Sequence, residues 1–203
     1  MPNWCYTKIV FKGKPDVVKA LYDFVSDDEA NNALKISTDF GVRWLGCYLE
    51  RAGYDWESYR CRGTLEHISD LTDNEFFIET ETAWVPMLSM WQAIIDKIAP
   101  GIETIYNAEE PGCEIFWTND PEIYGSYWVD VYDADHLQSN VKNVFGESND
   151  YTESDLRKAL LEIFPDEKTL SMEELICKLN NEYDVNEGMA IHEWFYVPVD
   201  ELD

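Results

Sequence analysis

The sequence predicts an α+β protein: two β-α-β halves share one antiparallel sheet, and a helical segment is appended at the C-terminus. Three observations carry this. Strand-like and helix-like runs alternate over the first 130 residues or so. Proline and glycine punctuate them at Gly13, Pro15, Pro86, Pro100 and Gly101. Helix-start signals then crowd the stretch after residue 150.

Trp4 to Phe11 (WCYTKIVF) is rich in β-branched and aromatic residues and reads as a strand, with Cys5, Ile9 and Phe11 on one face and Tyr6, Lys8 and Val10 on the other. A strand beginning so early explains the Trp-Cys pair in the opening MPNWC: both residues pin the terminus into a sheet. Pro15 suits a first helical turn, and Val17, Leu21, Phe24 and Val25 follow at helical spacing until SDDEANN stops the helix. Trp44, Leu45, Tyr48 and Leu49 fit one face of a short helix that Gly53 ends. Tyr59 to Ile68 and Phe76 to Trp84 read as strands around a turn-like SDLTDN. Pro86 opens a helix with Leu88, Trp91, Ile95 and Ile98 on one stripe, and Pro100-Gly101 closes it. Ile102 to Tyr106 and Cys113 to Thr118 form a fourth strand interrupted by EEPG, and Tyr127 to Val131 is a further one. This order is the split βαβ arrangement called ferredoxin-like, a name for topology alone.

The first domain is assigned to residues 1–136 and a helical subdomain to 137–203. SNVKNVFGESND reads as a polar linker. Thr152 caps a helix carrying Leu156, Leu160 and Ile163, and Pro165 ends it. Ser171 to Glu174 is a capping box with Leu170 and Leu175 as its staple. Trp194 to Val199 is a last short strand or a tail packed on the domain.

Composition narrows the classes. The chain has 203 residues, of which 45% are hydrophobic, including 8 Trp, 12 Tyr and 9 Phe. That is ample material for a core. No apolar run approaches the roughly 20 residues of a membrane span, and the first stretch lacks the pattern of a secretion signal. The 5 cysteines are widely spaced with no C-x-x-C, which argues against a disulfide framework, a metal site or a cluster, and for a reducing cytoplasm with no cofactor. Net charge is −26. Residues 101–203 hold 25 acids and 5 bases, and nine acids but no Lys or Arg lie between Lys97 and Lys142. Such a field repels nucleic acid and anionic membrane and attracts basic proteins.

Six short motifs then stand in order: MPNWC at Met1–Cys5, WLG at Trp44–Gly46, CRG at Cys61–Gly63, ETAW at Glu81–Trp84, EEPG at Glu109–Gly112 and TND at Thr118–Asp120. In these the chain resembles the YubB-type ferredoxin-like family of phages, plasmids and gut bacteria. The resemblance covers about the first 130 residues. It implies a fold and no established activity, so no catalytic residue is carried over.

With the first and third strands expected to run parallel at the sheet centre, two clusters fall at opposite sheet ends. One holds Arg60, Cys61, Arg62 and Trp84; the other holds Asn3, Trp4, Glu109, Glu110, Asn119 and Asp120. Positive charge on both sides of Cys61 favours a thiolate, though a buried strand thiol is the simpler reading. Arg43, Arg51, Arg60 and Arg62 can grip a phosphate or a carboxylate, with internal ion pairs the commoner use. The carboxylates and His136 of Asp130–His136 suit a solvated loop better than calcium. The paired acids of EEPG mark a turn first. Trp4, Trp84, Trp117 and Trp128 read as core packing.

The reading that follows is a non-catalytic interaction module of a mobile element, engaging a basic protein partner by imitating nucleic acid. Carboxylates at alternate strand positions recur about every 6.8 Å, on the scale of phosphate spacing along a strand. The alternative is a small-anion binder or enzyme at the Arg60-Cys61-Arg62 and Trp84 end.

Overall fold

A computed structural model describes residues 3–199, so Met1 and Pro2 of the opening motif lie outside the described residues. The protein is α+β and divides into two compact units. One comprises Met1–Pro121 with Tyr196–Asp203, the other Glu122–Phe195.

The first unit begins with β1 (Trp4–Lys12), whose burial alternates strictly as its sequence does. Helix α1 (Pro15–Val25) has proline in its first turn and buries Val18, Leu21 and Val25. SDDEANN does not end the helical region. Asp27 accepts from the Ala30 N–H and caps α2 (Asp28–Asn32), and a further turn, α3 (Ser37–Phe40), follows. Helix α4 (Leu45–Arg51) stands where the Trp-Leu-Tyr-Leu stripe predicts it, with Gly53 at φ 78 just past its end. Gly46 is required there: a Cβ would lie 1.9 Å from the Trp44 ring, which folds across the helix.

Strand β2 (Gly63–Ile68) starts four residues later than expected, because residues 56–60 form turns and Arg60 adopts a left-handed conformation with φ 48. Strand β3 (Glu75–Ala83), helix α5 (Leu88–Ile98) and strand β4 (Glu103–Glu110) follow. The fourth strand is then not continuous. Pro111–Cys113 makes a 3-10 turn, Glu114 turns left-handed, and β5 (Ile115–Thr118) runs back antiparallel to β4.

Spatial order in the sheet is β2-β3-β1-β4-β5, with a two-residue strand β9 (Phe195–Tyr196) at its edge; β6 to β8 belong to the second unit. The central strands β1 and β3 are antiparallel, not parallel as expected: Trp4 lies opposite Ala83 and Lys12 opposite Glu75. The reason is connectivity. The helical crossover makes β1 and β2 run the same way, and β3 returns from the turn after β2, so it opposes both.

Helices α1, α4 and α5 cover one face of the sheet. There Phe11, Phe76 and Trp91 meet, with ring centroids 5.1 Å apart for Phe11–Phe76 and 6.1 Å for Phe11–Trp91. Burying each such ring contributes about 1.5–3 kcal/mol. The tail closes this unit: Val197 and Val199 pack against its core, and the Val197 carbonyl accepts from the Tyr106 hydroxyl at 2.7 Å.

The division falls after Pro121, not at residue 136, because β6 (Tyr127–Val131) belongs to a second sheet. It pairs with β7 (Asn149–Tyr151) and β8 (Met189–Glu193). The second unit is therefore not purely helical. The stretch read as a linker holds α6 (Ser139–Val144), whose Val141 is fully buried, as is Phe145 just beyond it. Helix α7 (Glu153–Ile163) is capped by Thr152, and α8 (Met172–Tyr183) carries the complete capping box at Ser171 and Glu174. Leu156, Leu160, Leu175 and Leu179 join Val129 and Met189 in its own core.

Candidate functional site

Antiparallel pairing of β1 and β3 changes where the sequence motifs meet. Trp4 pairs with Ala83, Thr82 with Gly63, and Tyr6 with Glu109. The two clusters expected at opposite ends therefore gather at one end of one sheet, bringing together Asn3, Trp4, Arg60, Cys61, Arg62, Trp84, Glu109 and Glu110. Asn119 and Asp120 do not join them. The reversal at Pro111–Cys113 carries them back toward mid-sheet, where Asn119 accepts from the Tyr106 N–H at 2.8 Å and donates to the Thr104 carbonyl at 2.8 Å. Asn119 is a clamp on β4, and the TND motif is structural.

Glycines set how closely the strands approach at this end. A Cβ on Gly63, at φ 133, would lie 2.4 Å from the Glu81 carbonyl oxygen. A Cβ on Gly112 would lie 2.9 Å from the Asn3 amide nitrogen and 3.0 Å from a Glu110 carboxylate oxygen. The CRG and EEPG motifs are thus places where a strand end or a turn lies against its neighbour.

The covered face of this end is polar. Cys5, Thr7, Thr80, Thr82 and Glu110 are all buried, and the Thr82 hydroxyl lies within hydrogen-bonding distance of the Cys5 and Val85 carbonyls. Glu110 Oε1 accepts from the Gly112 N–H at 3.2 Å, while Oε2 is buried with no donor among the described residues. Cys113 is exposed, and the Asn3 amide donates to its Sγ at 3.3 Å. A hydrogen bond to Glu110 pushes the Cys113 thiol pKa up, against the Asn3 contact, which lowers it.

Cys61 is buried in the loop before β2, and burial pushes its thiol up to about 12, with the neighbouring Cys47 adding to the rise. That holds it as a thiol and removes the motive for a reactive cysteine. The arginines divide. Arg43 pairs with Asp28 at 3.1 Å; Arg51 donates to Asn31 Oδ1 at 2.9 Å and lies over the Phe24 ring. Arg60 and Arg62 are exposed and form no ion pair among the described residues. Asp133 pairs with His136 at 2.8 Å and Asp135 with Lys142 at 2.8 Å, and no group of three metal-ligating side chains occurs among the described residues.

The open face has a different chemistry, and of its residues the sequence singles out Trp4, Trp84 and Glu109 as site candidates but not Tyr6 or Glu81. Trp4 and Tyr6 are 44% and 51% exposed on this face, and Trp84, beyond the end of β3, is 44% exposed. Neither Trp4 nor Trp84 serves the core. Tyr6 stands in a cross-strand row between Glu81 and Glu109. Its phenol pKa is raised, first by a hydrogen bond to Glu81 and then by the charges of Glu81, Glu109 and Glu66. Beyond Tyr6 on this face of β1 the cations are already engaged: Lys8 lies over the Phe77 ring at 4.2 Å, and Lys12 pairs with Glu75 at 3.4 Å. The alternation of Trp4, Tyr6 and Lys8 was the available signal, since it places them on the face opposite Cys5 and Ile9.

No family model matches this chain, and no curated protein does. Among the described residues no helix is long and apolar enough to cross a membrane.

Proposed function

We propose that the protein is a non-catalytic interaction module that takes a basic protein segment on the open face of its six-stranded sheet. One observation carries this: exposed Trp4 and Tyr6 sit on that face with Tyr6 in register between Glu81 and Glu109. Rings and carboxylates side by side attract a cation that brings some apolar surface with it. The net charge of −26 steers such a partner in.

The architecture behind the face is read as the ferredoxin-like arrangement, supported by the strand order β2-β3-β1-β4 and its antiparallel pairing. The chain is taken as a YubB-type protein on its six ordered motifs. Nucleic-acid mimicry is the form this reading takes on β3, where Glu79 and Glu81 face the open side about 6.8 Å apart. The buried, protonated Cys61 speaks against an enzyme at the Arg60–Arg62 end.

The test is capture of a basic DNA-binding protein by the full chain, with duplex DNA as competitor. Binding that weakens strongly between about 50 mM and about 500 mM salt, and that Glu81→Lys with Glu109→Lys abolishes, is expected. Binding indifferent to both salt and these substitutions overturns the reading.

A further inference from the structure

We infer that the platform selects arginine over lysine, and that its occupant is an extended segment with arginines at alternate positions. This rests on the reading above and specifies the partner. Trp4 and Tyr6 are alternate residues of one strand on one face, so their side chains stand about 6.8 Å apart. An Arg-x-Arg segment in extended conformation presents its side chains at the same spacing.

The chemistry at each position is asymmetric. A guanidinium is planar, weakly hydrated and carries its donors around its rim. It stacks on a ring face while donating sideways to carboxylates. Glu81 and Glu109 stand to either side of Tyr6 in the cross-strand row, which sets a carboxylate on each flank of the ring. An ammonium is compact and strongly hydrated, and it meets either the ring or a carboxylate with less of its surface. The face also has a direction. Lys8, the next residue on this face after Tyr6, and Lys12 at the far end of β1 lie on the other side of Tyr6 from Trp4, and both are already engaged, by the Phe77 ring and by Glu75.

The test uses the full chain and two end-blocked peptides of equal charge, Gly-Arg-Gly-Arg-Gly and Gly-Lys-Gly-Lys-Gly, followed by the Trp4 indole N–H resonance. The arginine peptide is expected to bind at least about fivefold tighter and to shift that resonance. Tyr6→Ala and Glu81→Gln, both on the open face, should erase the difference. Glu173→Gln on α8, with the same loss of charge, should leave it. Equal affinities with the Trp4 resonance still shifted overturn the arginine selectivity and leave the acidic-face reading standing. Binding of neither peptide, or binding that never touches Trp4, overturns both.

Discussion

The backbone N–H of Trp84 donates to the carbonyl oxygen of Asn3 at 2.9 Å, fastening the residue just past β3 to the residue just before β1. To make that bond Trp84 adopts φ 76, a left-handed conformation that costs a bulky residue of order 1 kcal/mol or more. Its indole is half exposed. The side chain therefore adds little to the core while its backbone is strained. Trp84→Gly should leave stability unchanged or raise it by about 1 kcal/mol in chemical denaturation, because glycine adopts the same φ without strain. A loss of 2 kcal/mol or more would show that the indole packs structurally.

Glycine carries the WLG motif. Gly46→Ala sets a methyl where the Trp44 ring already lies, and Trp44 packs edge-on against Trp56 with centroids 5.0 Å apart. The ring must move, so the substitution should cost about 1–3 kcal/mol in thermal or chemical unfolding. A neutral result would mean the indole swings aside freely.

Thiol reactivity should follow charge as well as exposure. Cys113 and Cys177 are both exposed, yet the Glu110 carboxylate raises the pKa of Cys113 and so depletes its thiolate. Glu110→Gln removes that carboxylate, lowers the Cys113 pKa and should speed its alkylation at pH 7.5 severalfold, read by mass spectrometry. Cys5 and Cys61 should stay unmodified until the chain unfolds. An unchanged Cys113 rate in the Gln variant would place the thiol away from Glu110.

Those buried thiols also set an alkaline limit. Burial pushes Cys5 up to about 11 and Cys61 up to about 12, from an ordinary 9.0. In the window between, the unfolded chain releases protons that the folded one keeps. The stabilisation is full below pH 9 and is lost as pH rises through 11 and 12, at up to about 1.4 kcal/mol per pH unit per thiol. Cys61→Ala should flatten the decline above pH 9 in equilibrium unfolding, whatever it costs at pH 7. An identical slope would mean that Cys61 does not titrate differently in the two states.

What the sequence made legible was periodic. The alternation in β1, the capping box at Ser171, the Thr152 cap and the stripe of α5 each involve residues near one another in the chain. What it hid was reversal and partnership. The EEPG turn sends β5 backward, which no local pattern distinguishes from an interruption of one strand, and Asn119 left the site with it. The relative direction of β1 and β3 follows from connectivity, and mistaking it split one end of the sheet into two. Trp4 reads like a core residue because exposure depends on what covers a face. Val141 and Phe145 read like linker because their partners lie in helices further along the chain.

The same separation between local and distant order decides how the chain can be cut. Glu122–Phe195 has its own sheet and its own core, and the first unit has another, closed by a tail that follows this segment in the chain. A chain ending at Phe195 lacks Val197, whose N–H donates to the Thr118 carbonyl at 2.9 Å and whose carbonyl accepts from the buried Tyr106 hydroxyl. Leaving that hydroxyl unpaired costs about 1–3 kcal/mol, and burial of two valines is lost with it. The shortened chain should therefore unfold in two steps: the first unit at a lower temperature than in the full chain, and the second unchanged. Residues 122–195 alone should give a cooperative melt with a helical circular-dichroism spectrum. A cut at residue 137 should abolish that cooperative unit altogether, because it removes α6, α7, α8 and both partners of β6. If residues 122–195 fail to fold while the chain ending at Phe195 melts like the intact protein, the tail is dispensable and the second unit depends on the first.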